Sequence, residues 1–234
     1  MTHNEAFERQ PAAGGTGSAA DFLPDRLTLP ALREASRGCR GCRLYANATQ
    51  TVFGEGRQGA PLMLVGEQPG DREDRDGHPF VGPADRLLDG ALEEAGIVRN
   101  DVYVTNVVKH FKWEPRGAKS TRRIHKKPND AEIAACYPWL SEEIAVVAPA
   151  VIVCLGATAA QALLGKDFRV TRERGIALVS PLADAIVATM HPSSVLRAPT
   201  DEARRQARAD LVRDLAVAAD VVKVVRASPA HTRP

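Results

Sequence analysis

The 234-residue chain contains no apolar run approaching the ~20 residues that a membrane-spanning helix requires. Its amino-terminal stretch also lacks a charged start followed by an apolar segment. Insertion and export are therefore not expected, and the chain reads as cytoplasmic. Net charge is nearly absent: 31 Lys and Arg stand against 29 Asp and Glu, leaving +2. A chain so balanced is not a general polycation, so any attraction to a nucleic-acid backbone has to be local. Cysteine is scarce, at four residues. In a reducing compartment such cysteines read as metal ligands or free thiols rather than disulfides.

A hydrophobic fraction of 44% is enough for one sizeable core and one domain, here residues 25–225. Residues 1–24, rich in Ala, Gly, Ser and Pro, have too little apolar content to pack and are predicted to be a disordered extension, as is the tail 226–234. Between them, short apolar runs alternate with amphipathic segments. That pattern predicts a three-layer α/β/α domain around a central four-stranded parallel sheet. The strands fall at Leu62–Gly66, Val102–Asn106, Val151–Leu155 and Ile186–Thr189, with a fifth candidate at Ile176–Ser180. Helices are predicted at Pro83–Ala95, Asp130–Val147, Ala157–Leu164 and Asp201–Val222. Asn129 and Glu132 form a capping box for the second helix, and Pro138 should kink or break it just beyond Cys136.

Charge is concentrated in one place. From Lys109 to Lys127 there are eight Lys or Arg against the single acid Glu114. Within that stretch one imidazole, His125, lies among five cations: Lys119, Arg122, Arg123, Lys126 and Lys127. Positive neighbours disfavour the imidazolium, so they should keep this ring neutral and nucleophilic near pH 7. The same cations could simply hold a phosphate backbone.

In an open α/β sheet, ligands bind outside the carboxyl ends of the strands. Those ends read GEQPGD, TNVVKHFKW, LGATAA and TMHPSS, so the polar clusters gather at one sheet edge. Glu67 is presented at the first strand tip. Phe80 is either a local plug or a stacking platform for a base. Asn106 offers the donor and acceptor that reading a nucleobase edge requires, or ends its strand in an Asx turn. His191 could donate to an oxygen on which charge develops, or serve as a structural histidine. Cys39 and Cys42 form CRGC, and with Cys136 and Cys154 they suffice for a [4Fe-4S] cluster or a structural zinc, unless they are unrelated thiols.

Taken together, GEQPGD, HPFVGPA, TNVVKH, RRIHK and TMHPSS, with cysteines placed as CxxC, C and C, resemble the iron–sulfur uracil-DNA glycosylases of the family 4 type. Within them the chain resembles the UdgX group, set apart by an inserted basic loop; Thr121 stands where that loop usually begins with lysine. The resemblance covers about residues 38–222. It implies excision of uracil from DNA, single-stranded DNA above all, by a monomer that then stays covalently attached to the sugar through His125. It further implies catalytic roles for His125, Glu67, His191 and Arg123, and uracil binding by Gly66, Gln68, Asp71, Phe80, Asn106 and His191. DNA contacts are expected from Lys109, Arg122, Lys126, Lys127, Ser193 and Ser194. The four cysteines would carry a [4Fe-4S] cluster remote from the chemistry. Two other functions remain open at this point: a conventional glycosylase using water, and a non-catalytic cluster-bearing nucleic-acid binder.

Overall fold

The computed structural model describes residues 17–117 and 121–227. Its centre is a sheet of five strands in the order β2-β1-β5-β7-β6. The strands are β1 (Leu62–Gly66), β2 (Val102–Asn106), β5 (Val151–Leu155), β6 (Ala177–Leu178) and β7 (Ala185–Thr189). The first four of these in sheet order are parallel. The two-residue β6 adds to the edge in antiparallel sense, pairing Ala177 with Val187. The sheet is thus five-stranded and mixed, not the four-stranded parallel sheet predicted, because the Ile176–Ser180 run forms a short antiparallel edge.

Every residue of β1, β2, β5 and β7 is buried. Side chains alternate between faces, so both faces must be covered. Met63, Val65, Ile152 and Cys154 enter one apolar cluster with Trp139, Leu140 and Ile144 of α4 (Asp130–Val147). Leu62, Leu64, Val151 and Val153 enter the other, with Leu88 and Leu92 of α3 (Pro83–Glu94) and Leu211 and Leu215 of α8 (Asp201–Ala227). The shorter helices are α1 (Leu29–Ser36), α2 (Asp71–Asp76), α5 (Ala157–Leu164), α6 (Val170–Glu173) and α7 (Pro192–Leu196). Among the described residues no helix is long and apolar enough to cross a membrane.

Three expectations are corrected. Residues 17–24 do not extend away: Ser18 caps a 3-10 turn at Ala19–Phe22, Ala19 is fully buried, and Phe22 and Leu23 pack on the α4 face. Those few apolar residues suffice to dock a segment whose average composition is polar. Residues 1–16 and 228–234 lie outside the described residues, and α8 runs on to Ala227 through the predicted domain end. Finally, α4 runs on through Pro138, so the break that was one of the two outcomes expected there does not occur. The carbonyl that loses its partner belongs to Ala134, an exposed residue that water can serve.

The basic segment is not a plain loop. Trp113–Pro115 (β3) pairs antiparallel with Arg123–His125 (β4), placing Trp113 opposite His125.

Candidate active site

β1 and β5 are neighbours, yet the chain leaves β1 toward β2 through α3 on one face and reaches β5 through α4 on the other. The loops beyond these two strands therefore diverge and open a crevice at the point where the winding reverses. Glu67 stands at the β1 side of this crevice. Thr158, in the first turn of α5, donates its hydroxyl to Glu67 Oε2, which fixes the carboxylate.

Gly66, Phe80 and Asn106 come close together beside Glu67. A Cβ at Gly66 would collide with Asn106 Oδ1 and lie 3.1 Å from Phe80 Cζ. Glycine is thus required here by close approach, and the amide and the ring face the same space. Phe80 holds φ at 58°, a left-handed conformation that costs a bulky residue energy. Asn106 is buried at the end of β2.

The β3–β4 hairpin brings His125 to Glu67, with its Nε2 3.3 Å from Oε1 and its side chain half exposed. Two braces hold the hairpin. Gln68 donates Nε2 to the carbonyls of Lys112 and Lys126, at 3.2 and 3.1 Å, and accepts from the Lys112 amide. Arg123 donates to both Asp71 and Asp74, to the Asp71 carbonyl and to Thr49 Oγ1. Its guanidinium also lies over the rings of Phe111 and Trp113, at 5.3 and 5.5 Å. The ring of His125 in turn leans on Phe111, centroid to centroid 6.0 Å.

His191 is the N-cap of α7. Its Nδ1 accepts from the Ser193 amide at 3.1 Å and lies 2.8 Å from the Ser193 hydroxyl. A nitrogen that accepts from a backbone amide carries no proton, so the neutral ring presents Nε2–H as a donor. Burial pushes its pKa down to about 4, with Arg197 and His125 acting in the same direction. His125 is also held below the usual histidine value, by partial burial first and by Arg197, against the opposing pull of Glu67. The neutrality expected of His125 therefore has a different cause from the one inferred from sequence. Arg123 is paired with Asp71 and Asp74 and Lys126 with Glu114, and Arg197, which sequence reasoning missed, supplies the charge. Only its position six residues past His191 hinted at it.

The structure redistributes the other expected residues. Lys109, expected to contact DNA, is fully buried against Glu143. No phosphate can reach it. Arg123 and Asp71, expected at the chemistry and at uracil, are committed to each other, with Asp71 also paired to Arg75. Gln68 spends its side chain on the hairpin rather than on a base. Ser193 and Ser194 hold His191: the Ser194 hydroxyl donates to the His191 carbonyl at 2.7 Å. Lys126 pairs with Glu114 at 2.8 Å, while Arg122 and Lys127 are exposed. Lys119 lies outside the described residues.

Among the described residues no three His, Cys, Asp or Glu side chains stand close enough to count as a metal site. Cys39, Cys136 and Cys154 lie in one buried apolar cluster, with Cys42 packed against it. Cys39, Cys42 and Cys136 act on one another electrostatically, and burial pushes the Cys136 thiol up to about 12. Cys136 Sγ accepts from the Lys109 amide, and Cys39 Sγ from the Trp139 indole, both at 3.2 Å. Cys154, inside β5, is raised by burial alone. One residue beyond Lys109, the His110 ring is buried with Nδ1 lacking any partner, and burial pushes it down to about 4. A buried nitrogen with no partner is uncommon in an apolar core.

A ring, a buried amide, a carboxylate and two neutral imidazoles gathered at the strand ends are groups with which a protein can stack on a nucleobase, read its edge and act on the bond behind it. The chain belongs to the uracil DNA glycosylase superfamily, whose family description matches residues 53–216. It is 39% identical over 173 residues to the type-4 uracil-DNA glycosylase of Thermotoga maritima, covering 74% of this chain and 85% of that protein. It is 34% identical over 180 residues to the type-4 uracil-DNA glycosylase of Pyrobaculum aerophilum, covering 74% and 87%. The crystal structure of Pedobacter heparinus SMUG2 aligns over 74% of this chain and 77% of that one at TM-score 0.45 and 15% identity.

Proposed function

We propose that the protein excises uracil from single-stranded DNA as a monomer and ends as a covalent adduct, with His125 bonded to C1′ of the abasic sugar. The observation that carries this reading is the half-exposed imidazole held 3.3 Å from Glu67 by a hairpin braced at two points. Uracil would stack on Phe80 and pair its edge with Asn106. As the C1′–N1 bond breaks, the base takes the electron pair, and His191 Nε2–H donates to the oxygen on which that charge collects. The sugar cation faces Glu67. A ring nitrogen of His125 then bonds C1′, and the remaining ring N–H proton passes to Glu67 or to solvent. The product is a neutral alkylated imidazole, a poor leaving group, so the adduct persists. A positioned ring competes against water with an effective concentration that reaches ~10⁵ M or more.

Cys39, Cys42, Cys136 and Cys154 would hold an iron–sulfur cluster, as the resemblance to the type-4 enzymes implies. Its role is to pin the amino-terminal segment against α4 and the end of β2, remote from the reacting atoms.

The test is a denaturing gel with uracil-containing single-stranded DNA. The wild type should give a denaturation-resistant shift with one uracil released per protein, and His125→Ser should lose the shift while still releasing uracil. Free abasic DNA formed with multiple turnover by the wild type defeats trapping and leaves a conventional glycosylase. No uracil release at all defeats both.

A further inference from the structure

Lys109 is a costly side chain to bury. Its ammonium and the Glu143 carboxylate are both fully sealed from solvent. Taking two charges out of water costs more than their attraction reliably returns, and a well-packed apolar pair of the same volume is often as stable. Packing alone therefore gives no reason to keep them. Their hydrogen bonds do. Lys109 Nζ donates to Thr105 Oγ1 and to the Asn106 carbonyl, each at 2.7 Å. Glu143 accepts from the Thr105 hydroxyl, the Tyr103 hydroxyl and the Gly54 amide at 2.9–3.0 Å. Four of these five contacts fall on Tyr103, Thr105 and Asn106, the end of the strand that carries the buried amide. The main chain of the same lysine donates to Cys136 Sγ at 3.2 Å.

We propose that Lys109, with Glu143 as its counterion, is a positioning residue that fixes the edge-reading amide of Asn106 and ties it to the thiol cluster through Cys136. The hydrogen bond to the Asn106 carbonyl sets the backbone from which the amide projects. Removing it lets the amide rotate, and the expected loss is in discrimination between uracil and cytosine, which present opposite donors and acceptors at that edge. This inference rests on the uracil reading proposed above.

The test compares two double variants, which remove both charges together: K109M/E143L and the hydrogen-bonding K109Q/E143Q. Readouts are thermal unfolding, visible absorbance per polypeptide, affinity for uracil-free DNA, and single-turnover release of uracil and of cytosine. K109M/E143L should fold and keep both its absorbance and its affinity for uracil-free DNA. Its uracil release should fall about 10- to 100-fold, with the preference over cytosine reduced and K109Q/E143Q recovering part of both. Uracil release and base preference within twofold of wild type in a folded K109M/E143L overturn the proposal. So does failure of both variants to yield folded protein with visible absorbance, which assigns the pair to folding. If the wild type itself releases no uracil, the proposed function fails instead, and that outcome is separate.

Discussion

Arg123→Ala tests whether the site is held by its hairpin or merely decorated by it. The guanidinium lies between Asp71, nearly half exposed, and Asp74, fully buried. The exposed pair contributes no more than about 1 kcal/mol. Asp74 is different: breaking a buried pair by removing one partner costs about 3–5 kcal/mol. Thr49 offsets part of this, because its amide and hydroxyl also donate to Asp74. The two stacks on Phe111 and Trp113 add about 0.5–1 kcal/mol each. A net loss of about 3 kcal/mol moves the balance between docked and undocked hairpin by about 100-fold. Once undocked, His125 is delivered only at the ~mM concentration of a flexible tether. Water then reaches C1′ first. Uracil release should continue, while product shifts from adduct to free abasic DNA, measured on a denaturing gel beside a uracil-release assay. Arg123→Lys should fall between, since an ammonium cannot bridge two carboxylates as the fork does. An adduct fraction in Arg123→Ala within twofold of wild type would refute the reasoning.

Gly66→Ala inserts a methyl between Asn106 Oδ1 and Phe80, so single-turnover excision should drop at least about tenfold, in line with an overpacking cost of about 1–3 kcal/mol; an unchanged rate means uracil does not enter there. Asp85 shares the Gly82 amide with Glu73, and its pKa is pushed up to about 7 by burial and then by Glu73. A carboxyl raised in the folded state contributes stability that is full below about pH 4 and lost as pH rises through 7. Asp85→Asn should therefore gain on wild type in urea midpoint between pH 4 and 8, and a constant difference contradicts this. Because burial holds His191 down to about 4 and His125 below its usual value, adduct formation should keep its rate through the range in which an ordinary histidine titrates; a loss centred near 6.5 speaks against neutral imidazoles. Cys136→Ala should lose the visible absorbance of the purified protein, and absorbance kept at the wild-type level in that variant removes this thiol from the cluster.

The strands were readable because each is a run of five residues buried on both faces, which leaves an uninterrupted apolar signal between turn residues. Their polar tips were readable for the same reason, as the first breaks in those runs. The β3–β4 hairpin was not. Its strands are three residues each and carry charge, so no periodicity marks them, and their partners Gln68 and Asp71 lie 44 to 58 residues away.

Composition and spacing by themselves pointed to a helix-covered sheet with its polar clusters at one edge, while the role of His125 among them came from the resemblance to a known family. Folding alone decided how each cation is used: Lys109 sealed beneath the end of β2, Arg123 spent on two aspartates, Arg197 set against the imidazoles. A sequence displays the sign of a charge, but its energy depends on burial and on partners from distant segments, and those exist only once the chain has closed around them.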